Sequence, residues 1–299
     1  MFAHDFVRNA YLAGTAIGLG CGIIGWFVVL RGQLFAGDAL SHVAFVGAIA
    51  AAVLGLDERV GLFVLTVAMA TGMAALGPRS QAGDTVIGLM FAWILGVGLL
   101  LLSLLATSAA GGSGISAANA LFGSIYALGA GASRVAALIA LGVGMATLLA
   151  LRPLLLASLD AELAAVRGVP VRVLGAGFLI ALALLTADGT QAIGALLLLG
   201  LLSAPAGTAH QLTADPRRGI ALSVLLAVGS VWAGLGLSYA VSSIPPSSAI
   251  IGLAGGAYAI AAISGHVRRR PPGITRLDDA REIPPGREFA TGHAGHDHA

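Results

Sequence analysis

Residues 85–107 read TVIGLMFAWILGVGLLLLSLLAT, a stretch without a single charge. As a helix rising about 1.5 Å per residue, a segment of this length reaches roughly 34 Å, enough to cross a hydrocarbon core of about 30 Å. Its apolar residues are continuous and do not alternate, which is the pattern of a helix and not of a barrel strand. Helices and closed barrels are the two structures that cross lipid, because each pairs all of its own backbone polar groups. Comparable runs recur at about 9–30, 33–56, 60–77, 134–157, 171–187, 190–212, 219–241 and 247–265. The expected fold is therefore all-α: a polytopic membrane bundle of nine spans, or eight if one is re-entrant, within residues 1–265.

Composition agrees. Hydrophobic residues make up 58% of the chain and charged residues 10%, with a mean hydropathy of +0.94. A water-soluble domain usually carries about 25% charged residues. All 16 basic residues are arginines, and they sit at the ends of apolar runs and in the C-terminal segment. That is the distribution of membrane topology and not of a nucleic-acid surface. The lone Cys21 lies in an apolar run, where it reads as a small packing residue. The N-terminus carries little positive charge and no clear small-residue cleavage site, so the first run reads as a retained span.

Arg31, Arg79, Arg152, Arg167, Arg172, Arg217, Arg218 and Arg268 to Arg270 all fall at ends that one topology places in the cytoplasm. The C-terminus is then inside and, with nine spans, the N-terminus outside. Asp57, Glu58 and Asp188 fall on or near outer turns. Residues 109–132 are rich in Gly and Ser and read as an exposed loop with a short partial helix. Residues 266–299 hold 11 of the 30 charged residues (16 basic plus 14 acidic) and several prolines, the composition of a disordered cytoplasmic tail. Gly14, Gly18 and Gly22 recur every four residues, as do Ala48 and Ala52, a spacing that lets helices approach closely.

Ionisable residues inside the apolar runs are few, and such residues are costly and commonly functional. Asp38 and His42, in GQLFAGDALSHVAFVG, are four apart and share one helix face. In a helix starting near Gln33 they lie roughly 8 and 14 Å from its start. A carboxylate beside an imidazole suits a divalent first-row metal such as zinc, manganese or iron. A structural hydrogen bond and a proton relay are the other two readings. Ser41 is a candidate supporting group. One chain offers two firm ligands where a tetrahedral ion takes four, so a twofold dimer presenting two such pairs would complete a site.

Three other stretches stand out. DAELAAVRGVPVR, residues 160–172, reads as a short amphipathic helix ended by Gly168 and Pro170. It is either a plain turn or a helix that docks on a cytoplasmic partner, with Asp160, Glu162, Ala165 and Gly168 as the residues that form it. In GALLLLGLLSAPAGTAHQL, residues 194–212, Pro205 interrupts the backbone ladder, while His210 reads as an interface histidine or a transit ligand. His293, His296 and His298 in the tail form a weak candidate metal tract. Trp26, Trp93 and Trp232 read as packing residues or interface anchors. The chain has no P-loop, no HExxH and no nucleophile elbow. It is expected to be no enzyme, and to bind no permanent cofactor.

These residues resemble the permeases of the ABC-3 family, which serve bacterial zinc, manganese and iron importers. The likeness covers about residues 8–265. LRGQLFAGDALSHVAFVG is similar to the family's Arg–…–Gly-Asp-Ala-Leu-Ser-His-…-Gly signature, supported by ALFGSIYAL at 120–128, DAELAAVRGVPV at 160–171 and GALLLLGLLSAPAGTA at 194–209. Two departures occur: VAFVG stands where the family commonly has Pro before Gly, and PAGTA where it has Pro-Ala-Ala-x-Ala. The resemblance implies a homodimeric inner-membrane permease with separate ATPase subunits and an extracytoplasmic metal-binding protein. It implies that Asp38 and His42 coordinate the transported ion, and that residues 160–170 meet the ATPase. The competing expectation is a proton-coupled secondary transporter with Asp38 and His42 as its relay.

Overall fold

The computed structural model describes residues 4–76, 83–108, 123, 125–241 and 243–268. The described chain is all-helical. It runs α1 (Asp5–Leu30), α2 (Leu34–Val53), α3 (Glu58–Leu76), α4 (Gly83–Ser108), a 3-10 turn (Ile125–Ala127), α5 (Ala130–Leu149), α6 (Leu151–Leu159), α7 (Ala161–Val166), α8 (Val171–Ile193), α9 (Ala195–Leu212), α10 (Pro216–Ala240) and α11 (Pro246–Arg268). Among the described residues, eight helices are long and apolar enough to cross a membrane: α1 to α5, α8, α10 and α11. The shorter α9 lies among them, packed on α1, α2, α10 and α11.

Helix direction alternates, as short connections require. Trp26 stacks on His210, Ser223 donates to the carbonyl of Gly22, and Arg31 lies over Phe178. The C-terminal ends of α1 and α9 therefore share one end of the bundle with the N-terminal ends of α8 and α10. At the opposite end Phe6 meets Tyr126, and the Tyr126 hydroxyl donates to the carbonyl of Leu235 at 2.9 Å. Arg31, Arg172, Arg217 and Arg218 thus lie at one end, while Asp57 and Glu58 lie across the bundle.

α1 is the central helix. Its stripe of Gly14, Gly18 and Gly22 faces Val231, Val228 and Val224 of α10 in turn. A Cβ on Gly22 would stand 2.5 Å from the Cα of Val224, so the two backbones touch there. Without a hydrophobic force between helices in lipid, this close van der Waals approach is what holds them together.

The structure corrects two expectations. The apolar run at 134–157 is two helices, because α5 ends at Leu149 and α6 begins at Leu151. Pro153 explains the break: with no N–H it fits the first turn of a new helix and not the interior of an old one. Asp188 is near the turn that follows α8 but not on it. It sits inside α8, and the hydroxyls of the polar run around it are satisfied within the helix, Thr186 and Thr190 donating to the carbonyls of Ala183 and Thr186. The break between the neighbouring spans comes instead at Gly194, with φ 98° and ψ 151°, a conformation that a side chain all but forbids. Gly123, also at positive φ, rests on this junction against the carbonyl of Ile193. Pro205 lies inside α9, where its missing N–H leaves one rung of the ladder unmade, as expected. The last helix, α11, runs to Arg268. Arg79, most of 109–132 and the tail beyond 268 lie outside the described residues.

Gly22→Val should destabilise the bundle by about 1–3 kcal/mol, the usual cost of overpacking a core. The thermal midpoint of the detergent-solubilised protein measures it. Gly14→Ala should be milder, because its Cβ would meet the rotatable side chain of Val231 and not backbone. Equal midpoints for Gly22→Val and the native protein would refute the backbone contact.

Candidate functional site

α2 begins at Leu34 with no side-chain cap on Gln33. Asp38 is one turn in and His42 one turn further, so the i,i+4 spacing brings them together as expected. His42 Nε2 lies 3.8 Å from Asp38 Oδ1. That is within ion-pair range yet longer than a hydrogen bond. The side chains are 15% and 28% exposed respectively, so the pair is sheltered but open. Ligand atoms each about 2.1 Å from one ion lie about 3.4 Å apart at a tetrahedral angle, so a small turn of either side chain would let both reach one cation.

Ser41 is buried, and its hydroxyl donates to the carbonyl of Asp38 at 2.7 Å. Its proton is used within the helix, which fixes the backbone that carries Asp38. On the neighbouring α4, the Phe91 ring lies 5.4 Å from the His42 ring. Among the described residues, no group of three or more His, Cys, Asp or Glu side chains comes together. Asp38 and His42 stand as a pair alone.

His210 does not join them. Its Nε2 lies 3.0 Å from the carbonyl of Trp26 and its ring stacks on the Trp26 indole, 4.8 Å between centroids. It is a packing histidine that ties α9 to α1. Trp26 is buried, whereas Trp93 and Trp232 are exposed on the outside of the bundle.

At the turn before α2, Arg31 is half-buried with its guanidinium 5.0 Å above the Phe178 ring. Burial lowers its pKa from the ordinary guanidinium value. The expected short helix at 160–172 is present as α7. Asp160 caps it by accepting from the Leu163 N–H at 2.8 Å. Gly168, at φ 78°, closes it, with the Val169 N–H reaching back to the Ala164 carbonyl. Glu162, Ala165 and Gly168 are exposed. So are the apolar Leu159, Val166 and Val173 around them, Val166 to 85%. His293, His296 and His298 lie outside the described residues.

Sequence reasoning missed Asp188. It is 2% exposed, and its Oδ2 has no hydrogen-bond partner among the described residues. The signal was a lone carboxylate between two apolar runs, hidden because the polar residues around it imitate a turn. An unsatisfied buried polar atom costs about 1–3 kcal/mol. Asp188→Val should therefore leave the thermal midpoint unchanged or raise it. A clear fall would reveal a partner that holds the carboxylate.

An apolar helical bundle with a sheltered carboxylate–imidazole pair on one span has the build of a membrane permease. The profile of the ABC 3 transport family matches residues 3–265, and the chain belongs to that family. It is 30% identical over 255 residues to the manganese import system permease protein ScaB of Streptococcus gordonii, covering 83% of this chain and 88% of that one. It is 32% identical over 206 residues to the chelated iron transport system membrane protein YfeD of Yersinia pestis, covering 68% and 67%. Its fold is similar to the structure of PsaBC from Streptococcus pneumoniae in complex with Fab, with a TM-score of 0.75, 25% identity, and coverage of 87% of this chain and 91% of that chain. The protein is a permease subunit and not an enzyme.

Proposed function

We propose that the chain is the membrane subunit of an ATP-driven importer of manganese or iron, and that the ion passes Asp38 and His42. The observation that carries this reading is the open 3.8 Å Asp38–His42 pair inside a span of a chain whose relatives are named for manganese and iron. Those names favour manganese and iron among the three metals expected from the residues. A transport site must release its ion as readily as it takes it. Two ligands per chain suit that need, and two copies of the chain would supply two pairs to one passing ion.

The arginine-bearing end of the bundle is cytoplasmic in this reading, in keeping with the positive-inside rule. The C-terminus then lies inside, and an extracytoplasmic binding protein delivers the ion to the opposite end. α6 and α7 meet the ATPase subunit. Support comes from the exposed apolar side chains Leu159, Leu163 and Val166 at that end, which a monomer has no reason to leave open. ATP-driven movement of the ATPase pair then shifts α6 and α7 against α8, and the bundle opens alternately to each side.

Uptake of radiolabelled manganese and iron, in vesicles holding the permease and its ATPase, tests the path. Asp38→Ala and His42→Ala should each lower the rate at least about tenfold, the effect of losing a liganding contact of about 1.4 kcal/mol in the rate-limiting state. Uptake should need ATP and survive an uncoupler. Loss with the uncoupler alone would favour proton coupling, and unchanged uptake in both variants would end the metal-path reading.

The docking surface makes a separate prediction. Val166→Asp should reduce co-purification of the ATPase subunit while leaving the thermal midpoint of the permease nearly unchanged, because Val166 is exposed. Undiminished co-purification would remove α7 from the interface.

A further inference from the structure

We propose that Phe91 of α4 is the positioning residue that keeps the His42 imidazole turned toward Asp38. The proposal rests on the reading that this pair handles the ion. The gap between His42 Nε2 and Asp38 Oδ1, 3.8 Å, is too long for a hydrogen bond, so Asp38 does not hold the imidazole by itself. Another contact must select its rotamer. Phe91 supplies that contact from outside the helix, at 5.4 Å between centroids and 49° between planes, within the range of aromatic pairing.

Phe91 is itself held. Its ring makes an edge contact with Phe35 of α2, 6.0 Å between centroids and 81° between planes. Phe35 lies one turn before Asp38 on the helix. Gly88, three residues before Phe91, leaves room for the Phe35 ring, and Gly98 leaves room for the side chain of Val46. These two contacts fix the register of α4 on α2 on either side of Phe91. Phe35, Phe91 and His42 thus form a chain of three rings across the α2–α4 seam, ending at the metal-ligating nitrogen. The other side of α4 exposes Leu89, Trp93 and Leu99, so Phe91 is among its inward-facing residues.

A residue acting through His42 alters ion affinity before it alters turnover. In the vesicle assay with manganese, Phe91→Ala should raise KM about three- to tenfold, the scale of one lost aromatic contact. Uptake at saturating manganese should stay within about twofold of native, by the same logic that separates ground-state binding from the rate-limiting step. Phe91→Tyr should restore the native KM. Phe91→Leu, which keeps apolar bulk without the ring and so preserves folding, should behave like Phe91→Ala. Native KM in Phe91→Ala or Phe91→Leu would overturn the proposal, as would loss of maximal rate with KM unchanged. His42→Ala in the same assay separates the two levels. If it abolishes uptake while the Phe91 variants keep native KM, the positioning role alone fails. If it leaves uptake unchanged, the metal-path reading fails and the positioning role falls with it.

Discussion

Lipid offers no hydrogen bonds, so the main chain and nearly every polar side chain in this protein must be satisfied from within. The hydroxyl residues show how far that rule reaches. Thr15, Ser41, Thr66, Thr147, Thr186, Thr190, Ser203 and Thr208 each donate to a carbonyl three or four residues earlier on their own helix. Polar bonds that cross between elements join structural seams, among them Ser223 to Gly22, Tyr126 to Leu235, Trp232 to Thr15, Tyr11 to Trp232 and His210 to Trp26. With polar groups spent locally, contact between helices falls to shape, and α1 shows it in the glycine stripe against α10. Against this background an open Asp–His pair is conspicuous.

The same rule explains what could be read from sequence. Composition was enough for a helical membrane bundle, because lipid leaves so few alternatives. The i,i+4 spacing was enough to pair Asp38 with His42, and Asp160 with Gly168 was enough to bound α7, since both are local properties of one helix. Boundaries were harder. Hydropathy reports burial in lipid and not continuity of the backbone ladder, so it joined α5 to α6 across Ala150 and cut α8 short at Asp188. A proline in a first turn and a glycine at positive φ decided those two places. Each leaves only a faint mark in a hydropathy profile.

Two features of the structure were not legible, and for one reason. Phe91 lies in an unremarkable apolar run, and its approach to His42 depends on how α4 settles on α2. Asp188 becomes notable only when its depth and its missing partner are seen. Both are facts of tertiary contact, which a helix does not encode by itself. His210 is the opposite case. Its position near a helix end allowed an interface role or a transit role, and a single carbonyl, that of Trp26, tips the balance to the interface.

The seating of Gly123 on the Gly194 break carries a consequence for how this sequence can drift. At both positions the backbone adopts a positive φ, and at the first a Cβ would strike the main chain of Ile193 and Gly194. Every amino acid that a mutated glycine codon can specify brings a Cβ. Nor can a compensating change in a neighbouring side chain relieve the clash, because the obstructing atoms belong to the backbone. The two codons are therefore closed to substitution one at a time. A lineage could escape only by rebuilding the α8–α9 junction together with the backbone at Gly123 that meets it.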